Sequence, residues 1–81
     1  MEMKVIFLAA LRDGSGVGEI RLPWKQGITC RQILEELKER FESVSSLLER
    51  SLVAVNGNYA GPDWDLMPED EIAILPPVSG G

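Results

Sequence analysis

The chain has 81 residues, 44% of them hydrophobic and 26% charged, with 13 acidic against 8 basic side chains and a net charge of −5. That is one small domain, which buries about 60% of its unfolded surface, and its acidic balance argues against nucleic acid, whose affinity comes largely from Lys and Arg on phosphates. A single cysteine and no histidine exclude an intramolecular disulfide, the usual zinc and iron–sulfur ligand sets and any Ser-His or Cys-His dyad within the chain.

Residues 3 to 11 read as the first strand. The run is apolar on both faces, with Val5, Phe7 and Ala9 on one and Ile6, Leu8 and Ala10 on the other. That is the pattern of a strand covered on both sides. The run is short for a signal peptide, has Arg12-Asp13-Gly14 where a cleavage site would fall, and cannot span a membrane. A cytoplasmic protein with no membrane partner is expected. The glycine-rich stretch Asp13 to Gly18 reads as a hairpin loop, because a strand follows it rather than the helix a phosphate cradle needs. That second strand, Glu19 to Pro23, alternates cleanly, with Ile20 and Leu22 inward.

Thr29 and Gln32 have the spacing of a capping box. The helix they open places Cys30, Ile33, Leu34, Leu37 and Phe41 on one face and should end near Phe41. Cys30 lies in the first turn, where a helix can lower a thiol pKa. It shares the apolar face, so a buried packing role is expected. Ser43 to Ser51 suits a short second helix or helical turn, and Leu52 to Val55 a third strand. Asn56-Gly57 are the residues a type I′ hairpin turn demands, returning through Asn58-Tyr59-Ala60. Trp64, Leu66 and Met67 are expected to cover one end of the core. The acids between Asp63 and Glu71 do not make a calcium loop, since Pro68 stands where an EF-hand needs glycine. They read as a solvated rim, suited to a partner with a basic docking surface.

The last strand, Glu71 to Leu75, runs straight into Pro76-Pro77. Proline has no N–H and cannot extend a sheet ladder, so the strand must stop there. Val78, Ser79, Gly80 and Gly81 follow. Six extended residues reach about 20 Å from the body, and the two glycines have no Cβ to obstruct a narrow channel. A body of residues 1–75 and a flexible tail of residues 76–81 are expected.

The order is β-β-α-turn-β-β-β, an α+β chain. The long amphipathic helix must pack on one face of the sheet. The first and last strands are the most apolar, so they belong side by side at its centre, parallel because their connection crosses over. This is the β-grasp, or ubiquitin-like, architecture: a mixed sheet of about five strands on one main helix. Leu8, Tyr59 and Leu75 would form an apolar patch on the open sheet face beside the tail.

The opening strand Lys4 to Ala9 with Arg12 after it, then Ala54-Val55-Asn56, and above all Asp70 to Gly81, resemble the small subunits of molybdopterin synthase. The similarity spans the chain, with one departure, leucine at Leu75 where relatives commonly have an aromatic. The resemblance implies a sulfur carrier. An activating enzyme adenylates the carboxylate of Gly81 with ATP, and a sulfur donor acting through that enzyme converts it to a thiocarboxylate. The thiocarboxylate then supplies sulfur to a cyclic pterin precursor. Gly80 and Ser79 would thread the partner's channel, Pro76 and Pro77 would aim the tail, and Leu8, Tyr59 and Leu75 would dock on the large subunit and the activating enzyme. No cofactor is expected on this chain, the active-site pocket is expected on the large subunit, and the assembly is expected to be a heterotetramer of two small and two large subunits. Three alternatives stay open: a carrier for thiamin synthesis or tRNA thiolation, a protein modifier joined through Gly81 to lysine, and a plain interaction module.

Overall fold

A computed structural model describes residues 1–77; the expectations for Val78, Ser79, Gly80 and Gly81 lie outside the described residues. The first strand, β1 (Glu2–Phe7), buries Met3, Val5 and Phe7 completely. Its other face, with Lys4 and Ile6 half-buried, is not covered by a second layer, so the two-sided cover expected of this strand is absent within the described chain.

The strand also stops four residues earlier than expected. Residues Ala9–Ser15 form a helix, α1, not the end of a strand and a hairpin loop. Ala-Ala-Leu-Arg are strong helix formers with no β-branched residue among them. Beyond Phe7 the neighbouring strand has run out, since Ile6 already pairs with Glu19, the first residue of β2 (Glu19–Pro23). An apolar run of this length does not by itself separate strand from helix. Leu11 is the one buried side chain of α1, and Gly16 closes it in the left-handed conformation, φ 76°, with its N–H donating to the carbonyl of Arg12. Gly14 meets its neighbour so closely that a Cβ there would lie 2.7 Å from Val44 Cγ1. Ser43 Oγ also donates to the Gly14 carbonyl at 3.2 Å.

The main helix, α2 (Cys30–Arg40), has the expected capping box: the Gln32 N–H donates to Thr29 Oγ1, and the Thr29 N–H donates to Gln32 Oε1 at 2.9 Å. Cys30, Ile33 and Leu37 are its buried stripe, while Leu34 and Phe41 pack at the margin. Phe41 is the C-cap and meets Phe7 edge-on, ring centroids 5.4 Å apart. A 3-10 turn (Glu42–Val44) and a short helix, α3 (Ser45–Glu49), lead into β3 (Leu52–Val55), β4 (Asn58–Ala60) and β5 (Glu71–Leu75). Asn56 and Gly57 both have positive φ, 52° and 85°, as the type I′ turn requires.

The five strands form one sheet in the order β2-β1-β5-β3-β4. β1 and β5 are parallel neighbours at its centre, and the other pairs are antiparallel. All of α2 lies on one face, above a core that includes Val5, Phe7, Leu22, Ile33, Leu37, Ile72 and Ile74. This is the expected β-grasp, with a mixed five-stranded sheet on one main helix. At the far end, Leu66 is buried and the Trp24 indole Nε1 donates to its carbonyl at 2.8 Å. Trp64 and Met67, expected to cover this end as well, stay 55% and 50% exposed. Their backbones are used instead: Cys30 N–H donates to the Trp64 carbonyl and the Met67 N–H donates to Asp70 Oδ2.

Candidate functional site

Strand alternation puts the inward residues of β5, Ile72 and Ile74, under α2 and leaves Glu71, Ala73 and Leu75 on the open face. The same holds for Leu52 and Ala54 of β3 and for Ile6 of β1. The ladder registers then arrange the open face in rows across the strands. In the row nearest the tail, Leu75 pairs with Leu52, and the Leu8 N–H donates to the Ile74 carbonyl at 3.4 Å, which sets Leu8 on the other side of Leu75. In the next row, about 7 Å away, Glu19 at the β2 edge pairs with Ile6, Ile6 with Ala73, Ala73 with Ala54, and Ala54 with Tyr59. The third row is charged: Lys4 pairs with Glu71 and with Arg21. Glu19 bridges to Lys4 at 3.6 Å and to Arg21 at 3.3 Å.

The open face is therefore graded, apolar at the end where β5 meets Pro76 and Pro77 and charged at the other. Of the sequence-expected docking residues, Leu8 and Leu75 stand in the first row and Tyr59 in the second, one row further from the tail. Leu8 is 37% exposed and Tyr59 71% exposed, while Leu75 is half-buried. The residue that completes the first row is Leu52, 58% exposed, which sequence reasoning passed over. Its signal was available: Leu52-Val53-Ala54-Val55 alternates once Val53 and Val55 are set inward. Pro76 and Pro77 are half-buried at the strand exit. α1 braces this corner, because Leu8 is its N-cap and Leu11 is buried beneath it. Ala9, just after Leu8, has φ 49°, a left-handed backbone that turns the chain sharply out of the sheet.

Side-chain chemistry for catalysis is sparse here. Among the described residues, no cluster of three His, Cys, Asp or Glu side chains could hold a metal ion. Cys30 is wholly buried. Burial pushes its thiol pKa up, the charge of Asp70 adds to this, and its own backbone hydrogen bond opposes it. The thiol stays protonated and inert at neutral pH. No helix among the described residues is long and apolar enough to cross a membrane. What the described residues do present is an apolar row of Leu8, Leu75 and Leu52 at the end where β5 meets Pro76 and Pro77.

Residues 5–81 match the model of the ThiS family. The chain is 38% identical to the molybdopterin synthase sulfur carrier subunit of Dictyostelium discoideum, the alignment covering 99% of this chain and 96% of that one. It is 33% identical to the subunit of the same name from Arabidopsis thaliana, over 100% of this chain and 84% of that one. Among solved structures it resembles a putative molybdopterin converting factor subunit 1 from Pyrococcus furiosus, with TM-score 0.82, 30% identity and coverage of 96% and 99%. It also resembles small archaeal modifier protein 1 from Methanosarcina acetivorans, with TM-score 0.81, 28% identity and coverage of 99% and 96%. The fold recurs in a chain of the complex of subunits 1 and 2 of molybdopterin-converting factor from Helicobacter pylori, with TM-score 0.69, 20% identity and full coverage of both chains. This chain belongs to the ThiS family and groups within it with the molybdopterin synthase sulfur carrier subunits.

Proposed function

We propose that this chain is the sulfur carrier subunit of a cytoplasmic molybdopterin synthase and that Gly81 carries the sulfur. The carboxylate at the end of the chain is ionised at neutral pH, and as an anion with only oxide to expel it is a poor acyl donor. An ATP-dependent activating enzyme joins it to AMP and releases pyrophosphate. A sulfur nucleophile supplied through that enzyme then displaces AMP, which leaves a thiocarboxylate. The thiocarboxylate gives its sulfur to a cyclic pterin precursor in the active site of the large subunit, and the carrier returns as the carboxylate. Two such transfers build the dithiolene. ATP is consumed by the activating enzyme, and this chain supplies no cofactor. The synthase is proposed to be a heterotetramer of two small and two large subunits.

The observation that carries this reading is the Leu8–Leu75–Leu52 row. It sits at the end of β5, from which Pro76-Pro77 lead toward Gly80-Gly81. A partner seated on that row is placed to receive the tail, with Pro76 and Pro77 aiming it and Val78, Ser79 and Gly80 threading the partner's channel. Tyr59 widens the same contact. The test is a chain lacking Gly80 and Gly81. Sulfur transfer is expected to be lost while the fold and binding to the large subunit are retained, and retained transfer would contradict the proposal. A second reading, a protein modifier joined through Gly81 to lysine, is favoured by the likeness to small archaeal modifier protein 1. Lysine conjugates of this chain in its native cells would establish it.

A further inference from the structure

Apart from Met1, every exposed large apolar side chain among the described residues lies on one of two surfaces. Leu8, Leu52 and Tyr59 stand on the open sheet face. Tyr59, Trp64 and Met67 line a surface groove of about 430 Å³ along the outer strand β4, together with Asp65 and Asp70. Tyr59 belongs to both, so the groove continues the open face around the edge of the sheet. The groove's lining contains two carboxylates and no cation. Asp70 accepts only from neutral donors, Asn56 Nδ2 at 2.9 Å and the Met67 N–H at 2.8 Å. Neither Asp65 nor Asp70 forms an ion pair among the described residues. β4 is the last strand of the sheet, and an edge strand presents backbone groups able to pair with an added segment.

We infer that this groove is a second docking site, which receives a short extended segment of the large subunit carrying a lysine or arginine beside an aliphatic anchor. The inference rests on the carrier reading, because the partner proposed for the open face is the one whose chain can continue around β4. Charge complementarity selects the cation: Asp65 and Asp70 attract it, and the exposed faces of Trp64 and Tyr59 accept it as cation–π partners. Trp64 and Met67, both lining the groove, offer the aliphatic anchor its apolar contact. A second copy of this chain, itself at net charge −5, is a poorer electrostatic match.

The test uses the full chain and the purified large subunit from the same organism, with affinity measured by calorimetry at several salt concentrations. The variant Trp64→Ala with Asp65→Lys removes one anchor and reverses one charge at side chains with no intramolecular hydrogen bond or ion pair among the described residues. It is expected to fold as the parent does, to bind about tenfold more weakly, and to show a shallower salt dependence. Unchanged affinity and salt dependence in this variant, while Leu52→Asp still weakens binding, would overturn the groove and leave the carrier reading standing. A parent chain that does not bind the large subunit at all would overturn both. Groove variants that change self-association by sedimentation but not partner affinity would assign the groove to a second copy and overturn the inference.

Discussion

Cys30 occupies a position with two opposed physical tendencies. A helix N-terminus favours a thiolate, and burial among apolar side chains favours the thiol. Burial wins, with Asp70 pushing in the same direction. The thiol is therefore expected to resist iodoacetamide in the native chain and to react on unfolding. The pKa is raised in the fold, so the native state holds its proton after the unfolded chain has lost it. Stability is then unaffected well below the ordinary thiol value of 9.0 and falls as pH rises through it. Urea unfolding at neutral and alkaline pH should show a larger alkaline loss for the parent than for Cys30→Ala, in which nothing titrates at this site. Equal losses would contradict the assignment. The buried role of Cys30 was legible from its place in the apolar stripe. The exposed role of Leu52 was harder to see, because an isolated leucine in an apolar strand reads as core until the register shows which face it takes.

At the level of elements, the strands, the capped helix and the type I′ turn were legible because each has its own local chemistry. Thr29 with Gln32, Asn56 with Gly57, and the proline pair after β5 act over a few residues and need no tertiary help. Asn56 goes further than its turn: its side chain donates to Asp70 and accepts from the Glu71 N–H at 2.9 Å, tying the hairpin to the start of β5. α1 was not legible, since its apolar residues continue those of β1 and only the end of β2 decides where pairing must cease. Its packing leads to a counterintuitive expectation. Alanine in place of a helical glycine ordinarily gains up to about 1 kcal/mol. At Gly14 the added Cβ would meet Val44 Cγ1 at 2.7 Å, and overpacking costs about 1–3 kcal/mol. Gly14→Ala is thus expected to lower stability by about 1 kcal/mol, read as a reduced urea midpoint with an unchanged slope. A raised midpoint would show that Val44 yields freely.

For the whole molecule, the topology followed from two facts in the sequence: the first and last strands are the most apolar, and only one long helix is available to cover them. The open second face followed from the same count. Its grading from apolar to charged did not, because it depends on cross-strand partners such as Lys4, Glu19, Arg21 and Glu71, which registers alone bring together. On the proposed reading the body is a docking block and the chemistry falls to the chain end. The measurement that bears on this most directly is the intact mass of the protein after incubation with ATP, its activating enzyme and a sulfur donor. The account predicts a gain equal to one oxygen replaced by one sulfur, localised by fragmentation to Gly81. An unchanged mass, with the same enzyme shown to be active on another carrier, would contradict it.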